Sequence, residues 1–311
     1  MKNILVAGGA GFIGSHLCQS LLEDGYRVFC LDNFLTGSKD NIENILNHKN
    51  FVLVQASIEK HFELDQKMDY IFNLASPASP IDYWDYPEET LLTNSVGNLR
   101  LLRLANKDGA KFLLASTSEV YGDPQVHPQV ENYFGNVNTF GPRSCYDESK
   151  RFAETSVYVY IQKYKIDARI VRIFNTYGPK MKKDDGRVVS NFINWALSGS
   201  EIKIDGDGSQ TRSFCFVSDM VEGIKLAMFS KDTSSQIYNL GNPDEFTIKQ
   251  LANLVVEMTG SKSRIIYSKD FRINDPMKRK PDITKAAKDI GWTPAVNLRE
   301  GLIKTIEFYK L

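Results

Sequence analysis

The feature that most constrains the fold of this chain is a glycine-rich turn directly after its first apolar run. Residues Asn3–Ala7 have the composition of a short buried strand, and the string GGAGFIG follows at positions 8–14 without a spacer. Glycines 9, 11 and 14 match GxGxxG, and glycines 8, 11 and 14 match GxxGxxG. Glycine permits a tight turn and a close approach to a pyrophosphate, whose charge the next helix N-terminus favours. The turn therefore predicts a strand, a phosphate-binding loop and a helix.

Short apolar runs alternate with helical patterns through the first half of the chain. The runs are nearly continuous in Val, Ile, Leu and Phe, as is typical of parallel strands covered on both faces. Helical patterns cover Ser15–Asp24, Thr90–Lys107 and about 146–163. We predict strands over Asn3–Ala7, Arg27–Leu31, Phe51–Gln55, Tyr70–Leu74, Lys111–Ser116 and Ala168–Ile173.

This alternation predicts an α/β fold, a Rossmann-type doubly wound parallel sheet. Glycine and proline interrupt the chain more often after residue 175, which predicts a smaller C-terminal α/β lobe for the substrate. We therefore divide the chain into a dinucleotide-binding domain, residues 1–175, and a substrate lobe, residues 176–311. The boundary is soft, because we expect the chain to cross between the two.

Composition excludes several classes of protein. Lys and Arg number 38 in total, as do Asp and Glu, so the formal net charge is zero, which argues against a nucleic-acid partner. No apolar run reaches the roughly 18 residues of a membrane span. The chain has four cysteines and four histidines without CxxC, HExxH or HxH spacing. We therefore expect a cytoplasmic protein without a metal site, a disulfide framework or a membrane anchor.

Asp32 ends the second predicted strand, about 20 residues beyond the glycine turn, where a carboxylate holds the adenosine ribose hydroxyls. A carboxylate at this place repels a 2′-phosphate. The sequence therefore favours NAD over NADP as the cofactor.

Tyr146 and Lys150 lie four residues apart, which places them on one face of a helix. A tyrosine with its reference pKa near 10 is a poor base at neutral pH, and we expect the lysine ammonium to lower that pKa. Such a pair suits removal of a proton from an alcohol during hydride transfer.

Longer strings carry a family resemblance. They include GGAGFIGSHL, FLLASTSEVYGDPQVHPQ, GPRSCYDESKRFAE, RIFNTYGP and GDGSQTRSFCFVSD, and they span nearly the whole chain. The chain resembles the extended short-chain dehydrogenases/reductases that modify nucleotide sugars, and within them the UDP-glucuronic acid decarboxylases. The resemblance implies an NAD-dependent enzyme that oxidises C4 of UDP-glucuronate, loses CO₂ and returns the hydride to give UDP-xylose. It also implies a homodimer formed through the helices predicted over Thr90–Lys107 and about 146–163.

The resemblance assigns roles to individual residues. Tyr146 is the base, Lys150 tunes it and Thr117 binds the C4 oxygen, while Ser118, Glu119 and Arg279 lie at the reacting C5–C6 end. The substrate nucleotide and pyrophosphate are expected near Asn175, Arg187 and Arg212. The cofactor is expected to contact Tyr146 and Lys150 as well as Gly8, Gly11, Phe12, Ile13, Gly14, Asp32, Asn33, Thr36, Ser57, Ile58, Leu74, Ala75 and Ser76.

Other functions stay open at this point. One is a C4 dehydrogenase, epimerase or 4,6-dehydratase acting on another nucleotide sugar, although the related dehydratases have Asp where this chain has Ser118, and simple epimerases usually lack Glu119. The other is a non-catalytic NAD-binding protein, against which Thr117, Tyr146 and Lys150 count.

The chain departs from the family pattern at several positions. Ser57-Ile58 replaces an Asp-Val pair, the 59–65 loop does not match, and Asp205 replaces an aromatic residue. Leu92 stands where we expect a lysine for the substrate carboxylate.

Overall fold

The computed structural model describes residues 1–268 and 278–310 and is organised around a seven-stranded parallel sheet. The strands of the described chain are β1 Asn3–Ala7, β2 Arg27–Asp32, β3 Phe51–Gln55, β4 Tyr70–Asn73, β5 Lys111–Thr117, β6 Ala168–Ile173, β7 Thr176–Tyr177, β8 Ile202–Asp205, β9 Thr211–Ser213, β10 Cys215–Phe216, β11 Ile237–Leu240, β12 Glu245–Thr247, β13 Ile265–Ser268 and β14 Lys278–Arg279. The order in the large sheet is β11-β6-β5-β4-β1-β2-β3. The predicted doubly wound α/β fold is confirmed.

Helices cover both faces of this sheet. They are α1 Phe12–Glu23, α2 Pro80–Asp85, α3 Pro87–Leu92, α4 Asn98–Asp108, α5 Ser144–Tyr164, α6 Val188–Leu197, α7 Val217–Phe229, α8 Ile248–Thr259, α9 Thr284–Ile290 and α10 Leu298–Lys310. Within the described ranges, no helix has both the length and the hydropathy that crossing a bilayer requires.

Successive residues of β1 enter two different apolar cores. Ile4 and Val6 belong to a core that contains residues of α1 and α7. Leu5 and Ala7 belong to a second core with residues of α4 and α5. Side chains alternate between the faces of a strand, so a strand covered on both faces must be apolar at every position. This explains the continuous apolar runs of the sequence.

The predicted elements differ from the observed ones mainly at their ends. Helix α1 begins at Phe12, directly after the glycine turn, and not at Ser15. Strands β2 and β5 extend one residue further than predicted, to Asp32 and Thr117, and both of these are candidate site residues. The helix predicted over Thr90–Lys107 is interrupted by a wider, π-helical turn at Thr93–Gly97 between α3 and α4.

The chain leaves the central sheet after β6 and later returns to it. The C-terminal lobe contains the β13-β8 pair and the β12-β9-β14 sheet. Between these segments, β11 adds to the edge of the large sheet in parallel with β6, with Ile237 opposite Ile170. Residues 237–240 therefore belong to the dinucleotide-binding sheet, although they lie far beyond residue 175.

Candidate active site

The carboxyl ends of the central strands open into a cleft that the C-terminal lobe covers, the usual ligand position in an open α/β sheet. The cleft has a volume of 490 Å³ and adjoins a smaller cavity of 70 Å³. The predicted residues on the main cleft are Gly8, Gly11, Phe12, Ile13, Gly14, Thr36, Leu74, Ser76, Thr117, Ser118, Glu119, Tyr146, Lys150, Asn175, Arg187, Arg212 and Arg279. Those on the smaller cavity include Asp32, Asn33, Ser57, Ile58 and Ala75. The fold thus brings all the predicted site residues to two adjoining cavities.

The glycine turn forms a cradle that side chains would fill. A Cβ on Gly14 would lie 2.0 Å from the Gly8 oxygen, and one on Gly8 would lie 2.7 Å from the Ala75 nitrogen. Gly8 also has a φ of 77°, in the left-handed region that favours glycine. Among the described side chains none caps the N-terminus of α1, and its first residues line the cleft. Such a terminus fits the pyrophosphate of NAD.

Asp32 lies at the bottom of the smaller cavity, 7% exposed. Its Oδ2 accepts a hydrogen bond from the Ala10 N–H at 2.9 Å, and its Oδ1 accepts one from the Phe34 N–H at 2.8 Å. Burial raises the pKa of Asp32 above its ordinary value, and these N–H donors offset part of that rise. The carboxylate therefore binds the backbone of the glycine turn at Ala10, and it lines the smaller cavity.

Tyr146 lies in the first turn of α5, and Thr117 lies at the end of β5. The Thr117 side chain lies close enough to the phenol to favour its ionised form, and its hydroxyl accepts a hydrogen bond from the Glu119 N–H at 3.2 Å. The Tyr146 ring stacks on Tyr83, with ring centroids 5.3 Å apart and an angle of 12° between the planes. Burial raises the pKa of Tyr146 to about 12, and the nearby Thr117 side chain offsets only part of that rise. In the fold as described, the phenol is therefore protonated at neutral pH.

Lys150 lies one helical turn further along α5. Its Nζ donates to the Ala115 carbonyl oxygen at 3.0 Å and lies 5.9 Å from the centroid of the Tyr146 ring. Burial lowers the pKa of Lys150 to about 7, although Glu154 opposes the change. In the fold as described, burial keeps the pKa of Tyr146 above its ordinary value, and the expectation that the Lys150 ammonium lowers that pKa stays a prediction.

Glu119 is held by two arginines on the wall of the cleft. Arg279 donates to both carboxylate oxygens at 2.7 Å, and Arg143 Nη2 lies 2.6 Å from Oε2. Burial alone would raise the pKa of Glu119, but Arg143 and then Arg279 outweigh it, and the pKa falls to about 2. Glu119 is therefore a carboxylate throughout the physiological range, and its neighbour Ser118 is 3% exposed.

The predicted nucleotide-binding residues line the same cleft. Arg187 precedes α6 and donates to the Ala78 carbonyl oxygen at 2.9 Å. Arg212 is opposite Arg279 in the parallel β14–β9 pair, so the two guanidinium groups come from neighbouring strands. Asn175 lies between β6 and β7 on the same cleft. Guanidinium groups in such an arrangement suit bidentate contacts to phosphate.

The residues that depart from the family pattern lie in different parts of the fold. Ser57 and Asp205 line the cavities, whereas Leu92 does not. Leu92 ends α3, is 38% exposed, and is not part of the lining of either cavity. The apolar residue at this position therefore removes no cation from the cleft. Ser57 accepts a hydrogen bond from Asn33 Nδ2 at 2.9 Å in the smaller cavity, which Glu59 of the 59–65 loop also lines. Asp205 lines the main cleft.

Among the cleft residues that were not predicted from the sequence, Arg143 and Tyr83 contact predicted site residues, Glu119 and Tyr146 respectively. Arg143 is within the string GPRSCYDE, three residues before Tyr146, so its place one helical turn away was available as a signal. Tyr83 has no comparable signal, because its contact with Tyr146 depends on how α2 packs against α5.

The sequence matches known proteins over nearly its whole length. The profile described as the NAD dependent epimerase/dehydratase family matches residues 4–241. UDP-glucuronic acid decarboxylase 1 of Xenopus tropicalis is 50% identical over 309 residues, 99% of this chain and 72% of that protein. UDP-glucuronic acid decarboxylase 5 of Arabidopsis thaliana is 50% identical over 309 residues, 99% of this chain and 89% of that protein.

Solved structures share the fold. UDP-glucose 4-epimerase of Thermotoga maritima, with UDP-glucose, has a TM-score of 0.89 and 33% identity, covering 99% of this chain and 98% of that one. UDP-glucuronic acid 4-epimerase of Bacillus cereus, with UDP-glucuronic acid and NAD, has a TM-score of 0.90 and 27% identity, covering 99% of both chains. The chain therefore belongs to the NAD dependent epimerase/dehydratase family.

Proposed function

We propose that this protein is an NAD-dependent decarboxylase that converts UDP-glucuronate into UDP-xylose and CO₂. The observation that carries the proposal is the position of two sets of side chains on one cleft. Thr117, Tyr146 and Lys150 suit oxidation at C4, and beside them Arg279 and Glu119 form a charged pair at the sugar end. The identity of about 50% to UDP-glucuronic acid decarboxylases over 99% of the chain supports the same assignment.

The first half of the reaction makes a ketone at C4. Thr117 binds the C4 oxygen, and Tyr146, in its phenolate form, takes the proton of the C4 hydroxyl. NAD, bound along the glycine cradle, supplies the hydride acceptor at C4 and later the hydride donor. Lys150, with a pKa of about 7, is partly charged at neutral pH, and its ammonium form is the one that stabilises a phenolate.

The second half breaks the C5–C6 bond. The C4 ketone is β to the C6 carboxylate, so the electron pair of the broken bond moves into the ketone as an enolate while CO₂ leaves. C5 then gains a proton, and Tyr146 returns its proton to the C4 oxygen. Glu119, with a pKa of about 2, has no proton to give at neutral pH. Its role is therefore to hold Arg279, and another donor supplies the C5 proton.

Product analysis tests this function directly. The purified protein with NAD and UDP-glucuronate labelled at C6 should release labelled CO₂ and UDP-xylose in equal amounts, without net accumulation of NADH. Release of UDP-galacturonate without CO₂ would instead identify a 4-epimerase. Stoichiometric NADH with a released 4-keto sugar would identify a dehydrogenase, and turnover of neutral nucleotide sugars alone would exclude a hexuronate substrate.

We further propose that the protein is a cytoplasmic homodimer. Helix α5 packs against α3, α4 and the π-helical turn between them, and this face exposes apolar side chains, among them Leu91, Phe152 and Tyr158, which are 45%, 46% and 63% exposed. A second copy of the chain would cover this face with its own copies of these helices, which lie in the segments predicted over Thr90–Lys107 and about 146–163. The cytoplasmic assignment is supported by the four cysteines, which are all free thiols.

A further inference from the structure

Arg143 contacts Glu119 at the proposed sugar end of the cleft, but it does not take part in the proposed oxidation at C4. Its Nη2 lies 2.6 Å from Glu119 Oε2, and its side chain is 14% exposed on the wall of the cleft. Its backbone carbonyl oxygen accepts hydrogen bonds from the N–H groups of Tyr146 and Asp147 at 3.1 and 3.0 Å. Arg143 is thus part of the first turn of the helix that carries Tyr146 and Lys150.

The pair formed by Glu119 and Arg279 needs a third contact to be fixed relative to that helix. Its two parallel hydrogen bonds of 2.7 Å fix each group relative to the other. Glu119, however, follows β5, and Arg279 belongs to β14 in the C-terminal lobe. The bond from Arg143 ties the carboxylate to α5.

Charge supports the same role. Glu119 is buried, and burial favours its neutral form, which could accept fewer hydrogen bonds from arginine. Arg143 has the largest opposing effect and Arg279 the next, so the pKa of Glu119 stays at about 2. Asp147, with Oδ2 3.9 Å from Arg143 Nε, helps to orient the guanidinium group.

We infer that Arg143 is a positioning residue for the loss of CO₂, because it ties Glu119, and through it Arg279, to the helix that carries Tyr146. The C6 carboxylate is then held at a fixed place relative to the C4 oxygen, so that the C5–C6 bond can align with the ketone. This inference rests on the proposed decarboxylation. Arg143 should therefore affect the loss of CO₂ and not the oxidation at C4.

A single-turnover experiment on the complex with NAD separates the two halves of the reaction. The absorbance of NADH reports C4 oxidation, and trapping of labelled C6 reports CO₂ release in the same sample. For Arg143→Met we expect C4 oxidation within about threefold of the unmodified rate and CO₂ release slower by up to roughly 100-fold, the effect of a displacement of ~1 Å. NADH should accumulate in between. Arg143→Lys, which keeps the charge, should recover part of the rate of CO₂ release.

The control is Arg299→Met, which removes an arginine–glutamate pair of the same 2.6 Å length on the exposed surface, between α10 and α8. Neither step should change in it. The acidic side of the pH profile is a second readout. Without Arg143 less charge opposes the effect of burial, so the pKa of Glu119 should rise. As the pH is lowered, CO₂ release by Arg143→Met should therefore be lost at a higher pH than CO₂ release by the unmodified protein. Equal slowing of both steps, or no slowing of CO₂ release, would overturn the inference. Absence of CO₂ from the unmodified protein would instead overturn the proposed function, and the inference with it.

Discussion

Tyr146 and Lys150 are both buried, and burial opposes the ionised form of each. The pKa of the phenol is raised to about 12 and that of the ammonium is lowered to about 7. A pair that needs a phenolate beside an ammonium is therefore destabilised in the form that reacts. Such opposed shifts are a recurrent property of acid–base sites.

Replacing Tyr146 by Phe removes the proton acceptor and little else. We expect kcat to fall by at least the roughly 10²–10⁴-fold attributed to a positioned acid–base group, while NAD binding stays nearly unchanged. Rates with UDP-glucuronate and NAD titrations check this. Tyr160→Phe is the matched control, since Tyr160 is a buried tyrosine of the same helix in the apolar core. A Tyr146→Phe protein with the unmodified rate would remove the phenol from the mechanism.

Lys150 lowers the stability of the fold at neutral pH. Its pKa is about 7 in the folded chain against 10.5 for a free lysine, so the unfolded chain binds more protons between these values. Stability should therefore rise with pH across this window, and the penalty is complete below it. Lys150→Met should raise the melting temperature most at and below pH 7, because the penalty exceeds the ~1 kcal/mol of the hydrogen bond to Ala115.

The increase in melting temperature that Lys150→Met causes should become smaller as the pH approaches 10.5. Melting curves over this range check it, with Lys163→Met, an exposed position on the same helix, as the control. A melting temperature of Lys150→Met at or below that of the unmodified protein at pH 7 would contradict the argument, and activity should be lost in any case.

Asp32 should determine which dinucleotide binds. The unmodified protein should bind NAD more tightly than NADP, and Asp32→Ala should bring the two affinities closer. Because the carboxylate also accepts the N–H groups of Ala10 and Phe34, the substitution should weaken the binding of both cofactors as well. The ratio of the two dissociation constants is the measurement, since loosening of the glycine turn affects both alike. Equal affinities in the unmodified protein would refute the assignment.

Single residues could be predicted from the sequence where chemistry imposes a spacing. Tyr146 and Lys150 are four apart on a helix, and Asp32 follows the glycine turn at a characteristic distance. The contact of Arg143 with Glu119 joins two segments whose separation in sequence carries no pattern. The same holds for Tyr83, and both therefore emerge only from the tertiary structure.

At the scale of elements, the glycine turn gives the sharpest prediction. In Gly14→Ala the new Cβ would lie 2.0 Å from the Gly8 oxygen, a backbone atom that cannot move aside. We expect loss of NAD binding together with a lower melting temperature. The control is Gly109→Ala, at a φ of 65° with no atom within 4 Å of the added Cβ. It should cost only the roughly 1–2 kcal/mol of a left-handed alanine and leave NAD binding intact. Normal NAD affinity in Gly14→Ala would show that the cradle is looser than described.

The strands of the first half were predictable because most of them are nearly continuous apolar runs between helical patterns. Strands such as β7, β10 and β14 have two residues each, too few for any periodicity. The π-helical turn at Thr93–Gly97 also lacks a signal, because the sequence there keeps its helical pattern while the backbone widens.

At the scale of the whole molecule, Glu119 and Arg279 connect the end of β5 to the C-terminal lobe across the cleft. In the proposed mechanism the lobe thus contributes a cation, while the base and the cofactor cradle belong to the other part. Neither part would then contain a complete site, in keeping with candidate residues that extend from Gly8 to Arg279.

The proposed dimer also belongs to this scale. Tyr158→Asp should convert the dimer into monomers, because it adds a charge to the centre of the exposed apolar face of α5. Light scattering on an eluting column measures the mass. Ile303→Asp, at a 46% exposed apolar position on α10, is the control and should leave the mass unchanged. A monomeric unmodified protein, or an unaltered dimer in Tyr158→Asp, would place the interface elsewhere or remove it.

The return of β11 to the central sheet has a consequence for recombination between related genes. A hybrid joined near residue 175 would take β6 from one parent and β11 from the other. The edge of its sheet would then depend on a register, Ile237 against Ile170, that the two strands had never formed together. We therefore expect that the two lobes cannot be exchanged independently between related proteins. Hybrids that keep β6 and β11 from the same parent should be the ones that fold.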